Sequence, residues 1–300
     1  MQLNGNPLET ARRSFLLDRQ ARRVTKSTLF WYSRYTDRLI TFLTERQIDA
    51  PEKVTATHIR EYLVNLEGRK LSDRTIHHHA SAARAFFNFC LAEDIIHVSP
   101  MTRVRMPRLS KELLPAFSPV EVGRLLKSCE TDRDRAIVLC LLDTGARLQE
   151  FINLQVGHVD LTEGRIVIRA GKGKKDRVTF LGQTSRRALR RYLASRPHLE
   201  PGASLWLTER SATGLTRMGL QRMLQRLRDR SGVPHCHAHT FRRTFALACL
   251  RNGMDIYSLQ RIMGHADTRI LGRYLAQNED DLQTAHREHG AVDGLLSKGG

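Results

Sequence analysis

Apolar residues between Lys26 and Glu93 recur at helical spacing, and nothing there alternates at the period of two that a strand requires. Leu29, Tyr32, Tyr35, Leu39, Phe42 and Leu43 line one face of a first helix. Thr55 or Thr57 opens a second, with Ile59, Tyr62, Leu63 and Leu66 turned inward. Ser72 or Asp73 caps a third, whose buried stripe is Ile76, Ala80, Ala83, Phe86, Phe87 and Cys90. Three or four such helices bury their faces against one another as a small bundle.

The pattern breaks between Pro100 and Pro119, where four prolines and a run of basic residues leave little room for regular structure. This stretch reads as an extended linker able to track a phosphate backbone, or equally as a solvated loop. Beyond it the periods are mixed. Pro119 to Lys127 and the strongly apolar Asp132 to Thr144 are expected helices. GRIVIRA and KKDRVTFLG alternate at period two around Lys172–Lys175 and predict a β-hairpin or sheet edge. Further helices are expected at Thr184–Arg196, Leu215–Ser231, Thr240–Asn252, Ile256–Met263 and Thr268–Gln277. The expected fold class is mainly α: an N-terminal helical bundle over residues 1–107, a linker at 108–118, and a mixed α+β domain with a small antiparallel sheet and a C-terminal tail over 119–300. Residues 1–24 are too short to fold alone.

The chain carries 49 Lys+Arg against 31 Asp+Glu, a formal charge of +18, and both halves share the excess. Such a balance needs a polyanionic partner, and nucleic acid is the first candidate. Charge alone describes a repressor or a nuclease equally well. No apolar run reaches the roughly 18 residues of a membrane span, and the N-terminus lacks the apolar core of a signal peptide. Membrane and secretory classes are therefore excluded. The five cysteines are widely spaced, without a CxxC pair, which fits a reducing cytoplasm.

Four segments bear on chemistry. In LLDTGARLQEFINL (141–154), Gly145 breaks a helix and Arg147 opens the next turn, with Glu150 three positions on, on the same face. Glu150 can orient Arg147, although the pair alone reads as an ordinary surface ion pair. AGKGKKDR (170–177) lacks the GxxxxGK[ST] of a P-loop. Its Gly171 and Gly173 flank Lys172 in a turn that can hold an ammonium near a phosphate; alone it reads as a solvated hairpin tip. HAHTFRRTFALACL (237–250) sets His239 and Arg242 on one face as two donors for phosphate oxygens, backed by Phe241, Phe245, Ala248 and Leu250. Cys236, His237 and His239 lack a fourth ligand at finger spacing, so no zinc is assigned. In LQRIMGHADTRILGRYLAQ (259–277), His265 follows Gly264 on the loop leaving a helix, and Tyr274 lies in the next helix. Alone, Tyr274 reads as a half-buried packing residue.

Attack on a phosphodiester gathers charge on the equatorial oxygens, which fixed guanidiniums and an imidazole can stabilise. A tyrosine hydroxyl can attack and conserve the bond as a phosphotyrosine, and a lysine can protonate the leaving oxygen. No metal or cofactor is needed. In this order and at these spacings, TGARLQE, GKGKKDR, HTFRRTFA and LQRIMGHADTRILGRY closely resemble the tyrosine recombinase (phage integrase) family, in its simple two-domain, Xer- or transposon-integrase-like form. The helical first half and the proline-basic linker resemble that family's core-binding domain and connector, so the likeness spans nearly the whole chain.

The resemblance implies that Arg147 and Arg242 clamp the scissile phosphate, Lys172 is the general acid, His239 and His265 assist, and Tyr274 is the nucleophile, with Glu150 in support. Lys174 and Lys175 rival Lys172. Arg243 stands where the family often has histidine, Phe241 and Met263 where it often has leucine. The resemblance further implies two domains clamping double-stranded DNA, with Arg22, Arg23, Lys26, Arg74 and His77–His79 as candidate contacts, and a homotetramer on two paired sites. The tail bearing Leu282, Ala285, Val292, Leu295 and Leu296 would dock on a neighbouring protomer or cap its own domain. Two competing functions remain: a DNA-binding regulator that does not cleave, which leaves the six boxed residues unexplained, and a type IB topoisomerase-like strand transferase, which shares the chemistry.

Overall fold

The computed structural model describes residues 6–109, 115–169, 176–196, 199–209 and 213–264, together with 283, 286 and 287. The chain divides into two compact units, Met1–Glu112 and Leu113–Gly300.

The first unit is entirely helical among its described residues: α1 (Pro7–Ala21), α2 (Lys26–Thr44), α3 (Ala56–Gly68) and α4 (Asp73–Ala92), with short 3-10 turns at Pro51–Lys53 and Pro100–Arg103. Thr55 and Ser72 resolve the two capping choices, each accepting a hydrogen bond from the third backbone N–H of its helix. The expected stripes of α3 and α4 are buried, and Leu39, Phe42 and Leu43 of α2 meet them. Tyr32 is only half-buried, packed against the core's rim. Helix α1 was not signalled by periodicity, because Leu8, Ala11 and Phe15 are its only buried residues. What secures it is Phe15, fully buried and edge-on to Tyr32, Phe86 and Phe89 at 5.2–5.8 Å.

The second unit adds α5 (Pro119–Lys127), α6 (Asp132–Thr144), α7 (Leu148–Ile152), β1 (Val159–Asp160), β2 (Arg165–Ile168), β3 (Arg177–Phe180), α8 (Gln183–Ala194), α9 (Arg217–Ser231), α10 (Ala238–Arg251) and α11 (Ile256–Met263). The strands form one antiparallel sheet in the order β1-β2-β3, with Ile168 opposite Arg177 as the pair nearest the β2–β3 connection. The hairpin tip at 170–175 and the helix expected at Thr268–Gln277 lie outside the described residues. Helix α6 explains its own continuous apolar run: Ala136 to Leu141 are all buried, because α6 packs between α8 and α10 rather than facing water. Trp206, fully buried, stacks on Phe151 and Tyr192 and joins α7 to α8. Among the described residues, no helix is long and apolar enough to cross a membrane.

Candidate active site

The end of α6 supplies the first part of the site. Gly145 caps that helix in the left-handed region (φ 55°), and a Cβ there would stand 2.3 Å from Phe245 Cδ1. Both the conformation and the close approach call for glycine. Two residues on, Arg147 takes extended backbone as the N-cap of α7. Glu150 reaches back to it: Oε2 accepts the Arg147 backbone N–H and Oε1 accepts Nη1, both at 2.9 Å. The i,i+3 pair anticipated from the sequence is therefore present, and it also caps the helix.

Glu150 has a second partner. Arg177, the first residue of β3, donates from Nη1 to Oε1 at 3.0 Å and from Nη2 to Oε2 at 2.6 Å. Burial alone would raise the Glu150 carboxyl, but the Arg177 hydrogen bonds and charge, with those of Arg147, outweigh it and hold the pKa at about 2. Arg177 closes the GKGKKDR box, but the box gives it no role of its own. The one signal is parity: period two sets it on the same strand face as Thr179, which is fully buried. An inward arginine needs an inward acceptor, and its acceptor lies 27 residues away on another element.

Arg242 comes from α10 and is 4% exposed. Its Nη1 donates to the Gly145 carbonyl, and its Nη2 to the Met263 carbonyl at 2.9 Å. Arg147 Nη2 donates to the next carbonyl, Gly264, at 2.9 Å, and Arg177 Nε to the preceding one, Ile262, at 2.8 Å. Three guanidiniums from three places in the fold thus meet three successive carbonyls at the C-terminus of α11. A helix end leaves such carbonyls without intrahelical partners and carries the negative end of the dipole, which suits cations. Gly264 closes the helix with φ 63°, and a Cβ on it would lie 2.8 Å from Arg177 Cδ.

The structure brings Arg147 and Arg242 to neighbouring carbonyls immediately before His265 in the chain. His239 sits exposed in the first turn of α10, one turn before Arg242. Lys172, its rivals Lys174 and Lys175, His265 and Tyr274 lie outside the described residues. Arg243 is buried, as are Phe241 and Phe245, whereas Ala248 is exposed, contrary to its expected packing role. Of the candidate contacts in the first unit, His79 is withdrawn from any surface: it is 1% exposed and bonded to Tyr62 Oη at 2.6 Å. His77 Nδ1 lies 3.0 Å from the Pro107 carbonyl. Among the described residues, no group of three or more His, Cys, Asp or Glu could hold a metal ion. Cys236 is buried while His237 and His239 face outward.

Planar donors clustered at a helix end are of the class that holds a phosphate oxyanion. The chain belongs to the phage integrase family: residues 116–281 match that family, and residues 12–97 match the phage integrase N-terminal SAM-like domain. Tyrosine recombinase XerC of Lactobacillus delbrueckii subsp. bulgaricus is 30% identical over 248 residues, spanning 79% of this chain and 83% of that protein. A crystal structure of XerA recombinase superposes with a TM-score of 0.54 at 26% identity, covering 94% of this chain and 98% of the other. A lambda integrase dimer bound to a COC′ core site shares the fold, with a TM-score of 0.74 at 16% identity over 89% of this chain and 94% of that one.

Proposed function

We propose that this protein is a tyrosine-type site-specific DNA recombinase that cuts and rejoins double-stranded DNA through a 3′-phosphotyrosine intermediate. The observation that carries the reading is the pairing of Arg147 and Arg242 on the Gly264 and Met263 carbonyls, next to the His265 box. Arg147, with a side chain 36% exposed, reaches a non-bridging oxygen from the open side, and the buried Arg242 is the fixed member of the clamp.

Tyr274 attacks phosphorus through its hydroxyl oxygen while the bond from phosphorus to the 5′ oxygen breaks. Its proton passes to His239, Lys172 protonates the departing 5′ oxygen, and His265 donates to the phosphate. The free 5′-hydroxyl of a partner strand then attacks the phosphotyrosine, a new phosphodiester forms, and tyrosine leaves with its proton restored. One ester replaces another at each step, so neither ATP nor a metal enters.

Residues 1–107 act as the core-binding domain and 119–300 as the catalytic domain, joined by 108–118. The protein works in the cytoplasm on two paired DNA sites as a homotetramer, in integration, excision or resolution of a mobile element or replicon.

The test is a duplex carrying a nick beside the cleavage site, which traps the covalent step. Wild-type protein should form an SDS-resistant adduct, and Tyr274→Phe should form none; an adduct with the Phe variant removes Tyr274 from its role. Two-site exchange, rather than relaxation of a single supercoiled circle, separates a recombinase from a topoisomerase.

A further inference from the structure

We propose that Arg177 is a positioning residue for strand cleavage, fixing Arg147 through Glu150 and the end of α11 through the Ile262 carbonyl. The inference rests on the reading of Arg147 as a phosphate clamp.

The Glu150 carboxylate accepts four hydrogen bonds, two from Arg147 and two from Arg177. That fills the roughly four acceptor positions a carboxylate has. The direction of Arg147 is thus set by a group whose own direction is set by Arg177. Take Arg177 away and the terminal torsion of Glu150, a broad twofold rotor, loses the fork that locks it. Arg177 cannot itself reach a duplex, since its side chain is 9% exposed against 36% for Arg147. Whatever it contributes to the reaction passes through its partners.

Arg177 and those partners tie three elements together. Arg177 opens β3; its two Nη atoms grip α7, and its Nε grips the last turn of α11. The approach to α11 is so close that a Cβ at residue 264 would displace the Arg177 side chain. Lysine cannot reproduce this. A single ammonium has no rigid fork able to serve a bidentate carboxylate and a separate carbonyl in one plane. The rival account is a buried ion pair that only steadies the fold.

The two accounts part in the pH dependence of cleavage. Among the described residues, the charged groups that act on Glu150 are Arg177 and Arg147. With both present the carboxyl stays ionised throughout the working range. With Arg177 gone, burial is opposed by Arg147 alone, the carboxyl rises, and its protonation on acidification releases Arg147. Cleavage then gains an acid limb at higher pH than in the wild type, and a double variant that also carries Glu150→Gln loses that limb.

Single-turnover adduct formation on the nicked duplex, measured across pH beside DNA binding and thermal melting, tests this with the full chain. Arg177→Gln should bind DNA within about twofold of wild type and cleave about 10- to 100-fold more slowly, with the raised acid limb. Arg177→Lys, which keeps the buried charge, should melt like wild type and still cleave slowly; it decides the matter where the Gln variant does not fold. Folded variants that cleave at the wild-type rate with the wild-type profile overturn the proposal alone. A wild type that forms no adduct overturns the functional reading and this inference together.

Discussion

One methyl group probes the end of α11. Alanine at position 264 would hold φ 63° at a cost of about 1–2 kcal/mol and press its Cβ to 2.8 Å from Arg177 Cδ. Gly264→Ala should therefore lower the melting temperature and slow adduct formation more than its stability loss explains, since the displaced guanidinium also serves Glu150. Melting and single-turnover cleavage on one preparation read both effects. At this scale the sequence is legible where partners are close in the chain. Arg147 with Glu150 is such a pair, three positions apart and joined by a hydrogen bond. Arg177 is illegible because it meets Ile262 across 85 residues, and only the folded chain supplies that neighbour. The carbonyls that receive the arginines are illegible for another reason: every residue has one, so no residue type marks them.

At the scale of elements, α5 and α6 begin and end where proline, cap residues and apolar runs place them, at Pro119–Lys127 and Asp132–Thr144. Helix α1 escapes because its stripe is only three residues long, Leu8, Ala11 and Phe15, the last of which finds the aromatic cluster. Helix α4 contains a further device in His79. Burial first, then the charges of Arg38 and Arg34, push its imidazole down to about 4. A histidine whose pKa is lower folded than unfolded, about 6.5, stabilises fully above 6.5; that contribution is lost as pH falls through 4. The helical unit should thus lose about 3 kcal/mol between those limits. His79→Gln should flatten the dependence, read by helical circular dichroism of the whole chain against pH. An unchanged slope assigns the acid sensitivity to other groups.

For the whole molecule, the charge of +18 becomes a quantity that salt can measure. Binding to duplex DNA should weaken linearly in log–log form, with a slope of about −0.9 for each phosphate neutralised. Arg147→Ala should reduce that slope by about one, whereas Arg177→Gln should leave it unchanged, because only the first side chain is exposed to a phosphate. Filter binding over a salt series distinguishes them. Composition pointed to the polyanion. Of the four boxes, the described residues bring together Arg147 and Arg242, through contacts that run far along the chain. Arg242 joins Gly145 across 97 residues, and Arg147 joins Gly264 across 117. This imposes an order on biosynthesis, in which domains fold from the N-terminus as the chain emerges. Until residue 264 leaves the ribosome, Arg147 and Arg177 have no α11 to close upon. A half-made chain can complete its first helical unit while its arginines are still apart, so that unit can take its shape before the site exists.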